Sequence, residues 1–210
     1  MRSIMSFYTK HILPRMMDHV MTRDVVEHQR PRVLTGVREP VLEIGFGTGL
    51  NLPHYPESVT RLLALDPNPG MERWARPRVE ASRIQVEPVP FREGGRLPLD
   101  DASLESVVST WTLCSVRQVE TALAEIARVL RPGGRFFFIE HGLSPDPDVA
   151  GWQHRLNRLH AFVLDGCCLN RDIPGLINEQ HLNIEHCRRF YMPDSWKVSG
   201  YTYRGVARKP

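Results

Sequence analysis

A short apolar segment that runs directly into a glycine-rich turn limits the folds open to this chain of 210 residues. Residues 41–44 are Val-Leu-Glu-Ile, and glycines follow at positions 45, 47 and 49. An apolar run of this length bounded by glycines predicts a buried β-strand, and glycine permits the positive φ that a tight turn requires. The segment therefore predicts the first strand of an α/β sheet, with a ligand-accessible turn at its carboxyl end.

Beyond this segment, apolar runs alternate with helical patterns, of which the clearest covers residues 117–130. The runs predict further strands at residues 62–65, 84–89, 104–110 and 135–140. Uniformly apolar strands that alternate with helices are typical of a parallel sheet covered on both faces. Residues 181–191 and 200–208 lack helical spacing and predict an antiparallel strand pair. We therefore expect an α/β fold with a Rossmann-like, doubly wound, mostly parallel sheet, an antiparallel C-terminal edge pair and N-terminal lid helices.

The length suits a single domain with one hydrophobic core. Helical spacing runs over residues 3–29, with Pro14 splitting or kinking the helix, and residues 31–40 look like a linker. We expect four parts: an N-terminal helical lid at residues 1–40, a ligand-binding core at 41–141, a substrate-side insertion at 142–180 and the C-terminal strand pair at 181–210. Within the insertion, helices are predicted near 149–164 and 172–179.

Composition argues against several classes of partner. The net charge is +3, and the basic residues are spread along the chain instead of forming a patch with interleaved aromatics, so we expect no nucleic-acid partner. The longest apolar run, residues 136–139, is far too short to cross a bilayer, and the N-terminus does not read as a signal peptide. A reduced cytoplasmic protein is the default expectation.

The cysteines support the same expectation and predict no metal site. The four cysteines, Cys114, Cys167, Cys168 and Cys187, lack the spacing of a disulfide framework. Even with His181 and His186 added, the spacing matches no ordinary zinc pattern, and buried small side chains explain these cysteines more simply.

The glycine turn discriminates between nucleotide ligands. A dinucleotide fingerprint, Gly-x-Gly-x-x-Gly, would need glycine where Leu50 stands, and the Gly-Lys-Ser/Thr ending of a Walker loop is absent. The spacing present suits a ligand that has no pyrophosphate and carries an ammonium group near the Glu43 carboxylate. S-adenosylmethionine has these properties, whereas a purely structural turn is the alternative for the glycines alone.

Two further positions favour S-adenosylmethionine. Asp66 ends the second predicted strand, where an acid can accept hydrogen bonds from both ribose hydroxyls, although an acid there can also cap a helix. After the third strand, Glu93 can receive the adenine amino group, and the main-chain amide of Gly94 can face the ring. Chance rarely produces three such features in this order, so the sequence predicts S-adenosylmethionine as cofactor.

These residues resemble the class I S-adenosylmethionine-dependent methyltransferases, in the branch described as methyltransferase type 11. The resemblance rests on LEIGFGTGL, LALDPNP, LPLDDAS and EIARVLRPGGRFFFIEH, and it covers residues 41–141. More specifically, STWTLCSV and DGCCLNRD are similar to the thiol S-methyltransferase family of animals and its bacterial relatives. The resemblance implies cofactor contacts at Glu43, Gly45, Gly47, Gly49, Asp66, Asn68, Glu93, Gly94 and Thr110. Gly95 departs from the family turn, which often has a second acid there.

The candidate residues for the acceptor side carry weaker signals. His141 follows the fifth predicted strand and could take a proton from a thiol, or it could bond a loop carbonyl or pack against the cofactor. Asn170 and Arg171 are expected to line the acceptor pocket from the insertion, and Tyr8 from the lid. Asp165 either lines the pocket or ends a helix.

We therefore expect an S-adenosylmethionine-dependent methyltransferase that acts on a small molecule, with a thiol as the favoured acceptor. A thiolate needs little acid–base assistance, which suits a chain without an obvious catalytic dyad. The alternatives are a phospholipid amine N-methyltransferase, acting on phosphatidylethanolamine-type lipids, and a cofactor-binding protein without turnover. The methionine-rich N-terminal helix is interpreted first as a lid and second as a peripheral membrane contact. The oligomeric state is left open.

Overall fold

The computed structural model describes residues 8–91 and 95–210, apart from the side chains of Thr9 and Lys10. The described residues form one seven-stranded sheet with helices packed on both faces. The strands are β1 Val41–Ile44, β2 Arg61–Leu65, β3 Gln85–Pro88, β4 Leu104–Thr110, β5 Leu130–His141, β6 Asn183–Tyr191 and β7 Tyr201–Arg208.

The helices surround this sheet and are mostly short. They are α1 Leu13–Met21, α2 Asp24–Glu27, α3 Arg30–Leu34, α4 Glu72–Glu80, α5 Val119–Val129, α6 Pro147–Val163, α7 Ile173–Glu179 and α8 Lys197–Gly200. A π-helical turn, Tyr8–Ile12, leads into α1, and a 3-10 helix, Leu52–His54, follows the glycine turn. Among the residues described, no helix combines the length and the hydropathy that crossing a membrane would require.

The sheet order confirms the predicted fold class. The strands run β3-β2-β1-β4-β5-β7-β6, and the first five pair in parallel. β7 inserts between β5 and β6 and is antiparallel to both, with Phe137 opposite Val206. A parallel sheet of this order places the carboxyl ends of β1, β2 and β4 side by side, at the edge where ligands of doubly wound sheets bind.

Two predicted boundaries were wrong, both next to proline. Residues 30–34 form helix α3 instead of a linker, because Pro31 lies in the first helical turn, where its missing N–H costs no intrahelical bond. β5 begins at Leu130 instead of Arg135, because Leu104 already pairs with Leu130. The register then shifts before Ser106 pairs with Arg135, which accommodates the Pro-Gly-Gly segment as an irregularity within the ladder.

The apolar run of β5 supplies both halves of the core. Phe136 and Phe138 pack on the face that carries α5 and α7, whereas Phe137 and Ile139 pack with the buried residues of α3 on the other face. Each of these four side chains is at most 2% exposed. Burying a phenylalanine stabilises a fold by about 1.5–3 kcal/mol, so this strand anchors the sheet that positions the site.

Candidate active site

A cleft of about 670 Å³ opens at the carboxyl ends of β1, β2 and β4. Its volume lies within the range of small-molecule sites, which is about 300–1,000 Å³. It is lined by the glycine turn after β1, by Met17 and Met21 of α1, by the loop after β4, and by Leu164 and Asp165 after α6. The cleft is therefore assembled from one local motif and several distant segments.

The glycine turn is held against β2 by its own main chain. The amides of Gly45 and Phe46 donate to the carbonyl of Leu65, at 2.8 and 3.1 Å. Gly45 has a φ of +75°, and a Cβ at this position would lie 1.9 Å from Oγ1 of Thr112. Gly47 also has a positive φ, but a Cβ there would meet nothing closer than 3.8 Å. Gly45 is thus required by packing against the loop after β4, whereas Gly47 presents open main chain to the cleft.

Asp66 links the end of β2 to this turn. One carboxylate oxygen accepts from the amide of Gly47 at 2.7 Å, and the other accepts from the amide of Asn68 at 2.8 Å. Asn68 in turn accepts the amide of Gly70 at 2.9 Å through its side chain. Burial raises the pKa of Asp66 above its usual value, and the two amide bonds oppose that shift. Asp66 and Asn68 both line the cleft, where the sequence predicted them.

Glu43 is 1% exposed and organises the segment that follows the turn. Its carboxylate accepts from Nδ2 of Asn51 at 2.8 Å and from the hydroxyl of Tyr55 at 2.7 Å. Burial raises the pKa of Glu43 to about 7, against the lowering effect of these bonds and of Arg30. The side chain of Asn51 also donates to Oγ1 of Thr110 at 3.0 Å, so β1, β4 and the turn share one buried polar network.

Arg30 and Asn51 are members of this network that the sequence did not reveal. Arg30 is 3% exposed and donates to Oδ1 of Asn51 at 2.7 Å and to the carbonyl of Met21 at 3.2 Å. Its guanidinium also lies 5.4 Å from the ring centroid of Trp111. No local pattern marks an asparagine or arginine as buried, so only the fold brings these groups together.

Helix α1 is fixed over the cleft by Asp18, another residue that the sequence did not single out. Its carboxylate accepts from the hydroxyl of Thr48 at 2.6 Å and from the guanidinium of Arg78 at 2.8 Å. Thr48 belongs to the glycine turn and Arg78 to α4, so one carboxylate joins α1 to two elements of the core. Met17 and Met21 consequently face the cleft.

The loop after β4 is held by a second buried glutamate, Glu140 near the end of β5. Its carboxylate accepts from the hydroxyl of Ser109 at 2.7 Å and from the amides of Thr112 and Cys114 at 3.1 and 3.2 Å. Burial raises the pKa of Glu140 above its usual value. Trp111, which has a φ of +51°, begins this loop, and Trp111 and Thr112 line the cleft.

His141 does not lie where a catalytic role predicts it. Its Nδ1 is 3.8 Å from Sγ of Cys167, and His141 is not among the described residues that line the cleft. Because the imidazole turns toward two cysteines behind the wall of the cleft, the predicted proton transfer from an acceptor has no support in this geometry.

The predicted acceptor-side residues are also placed elsewhere. Asn170 hydrogen-bonds His154 at 2.9 Å, Arg171 donates to the carbonyl of Leu113, and the hydroxyl of Tyr8 donates to the carbonyl of Val163 at 3.0 Å. These three side chains hold the insertion and the N-terminal segment in place and do not line the cleft. Asp165 does line it, with a φ of +46° that suits a helix-ending turn.

The remaining cofactor predictions have three outcomes. Gly45, Gly47 and Thr110 line the cleft, whereas Gly49 does not, and a Cβ at Gly49 would lie 3.3 Å from side-chain atoms of Phe46 and Leu52. Glu93 and Gly94 lie outside the described residues.

Comparison with known proteins gives a family match and several relatives. Residues 42–138 match the family model described as a methyltransferase domain. The human thiol S-methyltransferase TMT1B is 40% identical over 182 residues, which cover 84% of this chain and 74% of the relative. The human thiol S-methyltransferase TMT1A is 33% identical over 162 residues, covering 75% of this chain and 66% of the relative.

Solved structures support the fold independently. The crystal structure of a S-adenosylmethionine-dependent methyltransferase from Aquifex aeolicus superposes with a TM-score of 0.62 at 19% identity, covering 94% of this chain and 98% of that one. At this identity the likeness concerns the fold, which agrees with the strand order described above.

Proposed function

This chain belongs to the S-adenosylmethionine-dependent methyltransferases, in the family that contains the thiol S-methyltransferases, and on that premise we propose that its acceptor is a small-molecule thiol. The observation that carries the proposal is the 40% identity to a relative named for this activity. The lining of the cleft agrees with it, because no histidine, lysine, cysteine or tyrosine among the described residues lines the cleft to serve as a base. The carboxylates that line it are those of Asp18, Glu43, Asp66, Glu125 and Asp165, and the first four already accept hydrogen bonds within the protein. A thiol is a few per cent ionised at pH 7 and intrinsically nucleophilic, so it depends least on such a base.

The residues of the cofactor end fit S-adenosylmethionine. The open main chain at Gly47 allows a ligand to approach closely, and each oxygen of Asp66 keeps a lone pair for a ribose hydroxyl beside the amide that it already accepts. Glu43 holds the turn through Asn51 and Tyr55, so we assign it a positioning role with its carboxylate at the edge of the cleft. The bound cofactor supplies an electrophilic methyl group on a sulfonium that is a good leaving group.

The acceptor end would work by positioning and by excluding water. Met17, Trp111 and Leu164 give that end an apolar wall, and Asp18 fixes the helix that carries Met17. An apolar, closed surrounding weakens the hydration of a thiolate and favours its alignment with the methyl group.

The decisive experiment offers three classes of acceptor to the purified chain together with radiolabelled cofactor. The panel contains alkyl and aryl thiols, phosphatidylethanolamine vesicles, and a small-molecule extract. We expect labelled thioether and no labelled lipid. Labelled lipid without thioether would establish the phospholipid amine activity instead. Tight cofactor binding with no labelled product from any acceptor would establish a binding protein without turnover.

We also propose that the protein touches membrane surfaces through one face of α6. Trp152, Leu156, Leu159 and Phe162 are 53, 38, 62 and 59% exposed, and their spacing of three to four residues places them on one stripe of the helix. An exposed apolar stripe of this kind can insert into the boundary between headgroups and acyl chains. Co-sedimentation with vesicles should therefore fall several-fold for Leu159→Ser combined with Phe162→Ser. Concentration-dependent self-association without vesicle binding would assign the stripe to a second copy.

We also propose that the protein resides in a reducing, cytoplasmic setting. All four cysteines are free thiols, and two of them are in contact. Cell fractionation with antibody detection would locate the protein directly.

A further inference from the structure

Three side chains from separate segments meet behind the wall of the cleft. Cys114 lies in the loop after β4, His141 ends β5, and Cys167 follows α6. Sγ of Cys167 is 3.6 Å from Sγ of Cys114 and 3.8 Å from Nδ1 of His141. One potential ligand atom from each residue lies within 4.8 Å of the other two. Three ligand atoms this close together could hold one cation.

Main-chain hydrogen bonds fix the positions of both cysteines. The amide of Cys114 donates to Glu140 at 3.2 Å, and its carbonyl accepts from the amide of Cys168 at 2.8 Å. The carbonyl of Cys167 is 2.9 Å from Nδ1 of His160. The two cysteines are 1% and 7% exposed and are held by these main-chain bonds, whereas His141 is half-buried.

The distances agree with tetrahedral zinc chemistry. Zinc binds cysteine sulfur at about 2.3 Å and histidine nitrogen at about 2.0–2.1 Å, so two such sulfurs lie about 3.8 Å apart and sulfur and nitrogen about 3.6 Å apart. The observed distance is 3.6 Å between the two sulfurs and 3.8 Å between Sγ of Cys167 and Nδ1 of His141, and both are close to these values. Two sulfurs and one imidazole nitrogen are also ligands that zinc prefers over calcium or magnesium.

We propose that Cys114, His141 and Cys167 bind one divalent cation of the zinc type. Both thiols lose their protons to solvent on binding, and the cation then balances the two thiolate charges. Three protein ligands leave a fourth position for a water molecule. The cation joins the loop after β4 to the segment after α6, and Ser115, Leu164 and Asp165 of these same segments line the cleft. Metal binding would therefore stiffen the acceptor wall.

The sequence could not reveal this site. Cys114 and Cys167 are 53 positions apart, and His141 lies 26 positions before Cys167. Zinc sites that can be recognised by spacing place their ligands in close pairs, and the sequence prediction of no metal site considered all four cysteines by their spacing but did not combine them with His141. The topology of the sheet, with β5 beside β4, brings the three residues together.

The test is a cobalt titration of the reduced, metal-free full chain. Tetrahedral Co²⁺ bound by thiolates has a ligand-to-metal charge-transfer absorption in the near ultraviolet and strong visible d–d bands. We expect one equivalent of Co²⁺ to produce both, and Zn²⁺ to displace it. Cys114→Ser and Cys167→Ser should each lower the Co²⁺ affinity by about 100-fold or more, because each removes one of three ligands.

Cys187→Ser is the matched control, since Cys187 is a half-buried thiol of β6 outside the cluster, and it should leave the titration unchanged. His141→Asn provides a second test if the serine variants fail to fold, and circular dichroism verifies folding. A folded, reduced wild-type chain that binds no Co²⁺ would overturn the proposal, as would binding that Cys114→Ser leaves intact. Calorimetry with the demethylated cofactor product separates this outcome from failure of the proposed methyltransferase function.

Discussion

One buried glutamate holds the residues at each proposed end of the cleft, but the hydrogen-bond partners of one glutamate lie near it in the sequence and those of the other lie far from it. Glu43 in β1 accepts from side chains that lie 8 and 12 positions later in the chain, those of Asn51 and Tyr55. Glu140 in β5 accepts from Ser109, Thr112 and Cys114, which lie 26 to 31 positions earlier. The hydrogen bonds that Glu43 accepts are therefore local in the chain, whereas those that Glu140 accepts join distant segments.

The partners of the two carboxylates differ in kind as well. Glu43 takes its hydrogen bonds from an amide and a hydroxyl, and its pKa is raised to about 7, so it can be neutral at physiological pH. Glu140 takes main-chain amides, which position a loop rather than a side chain. Burial raises the pKa of both glutamates, so the two differ in what their carboxylates hold in place, which is side chains for Glu43 and mainly loop main chain for Glu140.

Removal of the Glu140 carboxylate tests whether this residue holds the loop after β4, and it should have the largest effect on the free energy of unfolding. Glu140→Ala leaves the amides of Thr112 and Cys114 and the hydroxyl of Ser109 without their buried acceptor. We expect the free energy of unfolding in urea to fall by about 4 kcal/mol, since each orphaned buried donor costs about 1–3 kcal/mol. Ser109→Ala, which removes one donor and keeps the acceptor, should cost only about 1 kcal/mol. Equal losses would mean that Glu140 does not hold the loop.

The pH dependence of the free energy of unfolding tests the role of Glu43. Burial raises the pKa of Glu43 from its ordinary 4.5 to about 7, so its neutral form favours the folded state. This contribution is complete below pH 4.5 and is lost as the pH rises through about 7. Glu43→Gln has no such titration, so wild type should lose about 3 kcal/mol relative to the variant between pH 4.5 and 8. Urea unfolding across this range measures the difference, and parallel profiles would show that Glu43 titrates normally.

The same contrast explains what the sequence could predict. The strand, the turn at Gly45 and Gly47, and Asp66 lie within a short stretch, and their residue types follow directly from backbone geometry and hydrogen bonding. The parallel sheet with helices on both faces could be predicted as well, because apolar runs such as residues 136–139 have to be covered on both faces. Features that depend on the interactions of neighbouring residues can therefore be predicted from the sequence.

The acceptor end could not be predicted in this way. His141 was expected at the cleft because it follows β5, but the direction of its side chain depends on Cys114 and Cys167, which come from other elements. Asn170 and Arg171 were expected to face the acceptor, but each is a hydrogen-bonding group that finds its partner in the packing of the insertion, at His154 and at Leu113. Such pairings depend on three-dimensional contacts that composition and spacing do not contain.

Substitution of Asp66 sharpens the comparison at the cofactor end. Asp66→Ala removes the proposed acceptor of the ribose hydroxyls and the partner of the Gly47 amide. We expect the affinity for the demethylated cofactor product to fall by about 100-fold in calorimetry, since hydrogen bonds to charged groups contribute about 1.5–3 kcal/mol. Ser109→Ala should leave that affinity within about threefold, because the hydroxyl of Ser109 donates to Glu140 and Ser109 does not line the cleft. Undiminished binding by a folded Asp66→Ala protein would remove Asp66 from the cofactor site.

The smallest expected effect concerns Asp18, which joins α1 to the glycine turn and to α4. Its ion pair with Arg78 is partly exposed, at 20% and 31% for the two side chains, and such pairs contribute about 1 kcal/mol or less. Asp18→Asn should therefore leave the free energy of unfolding nearly unchanged, but it weakens the attachment of α1 to Thr48 and to Arg78. Because α1 carries Met17 and Met21 into the cleft, we expect KM for a thiol acceptor to rise by about threefold to tenfold, with cofactor affinity within about twofold. Asp24→Asn is the matched control, since Asp24 lies in α2 and does not line the cleft. An equal change in KM for both variants would mean that the lid position does not depend on the Asp18 carboxylate.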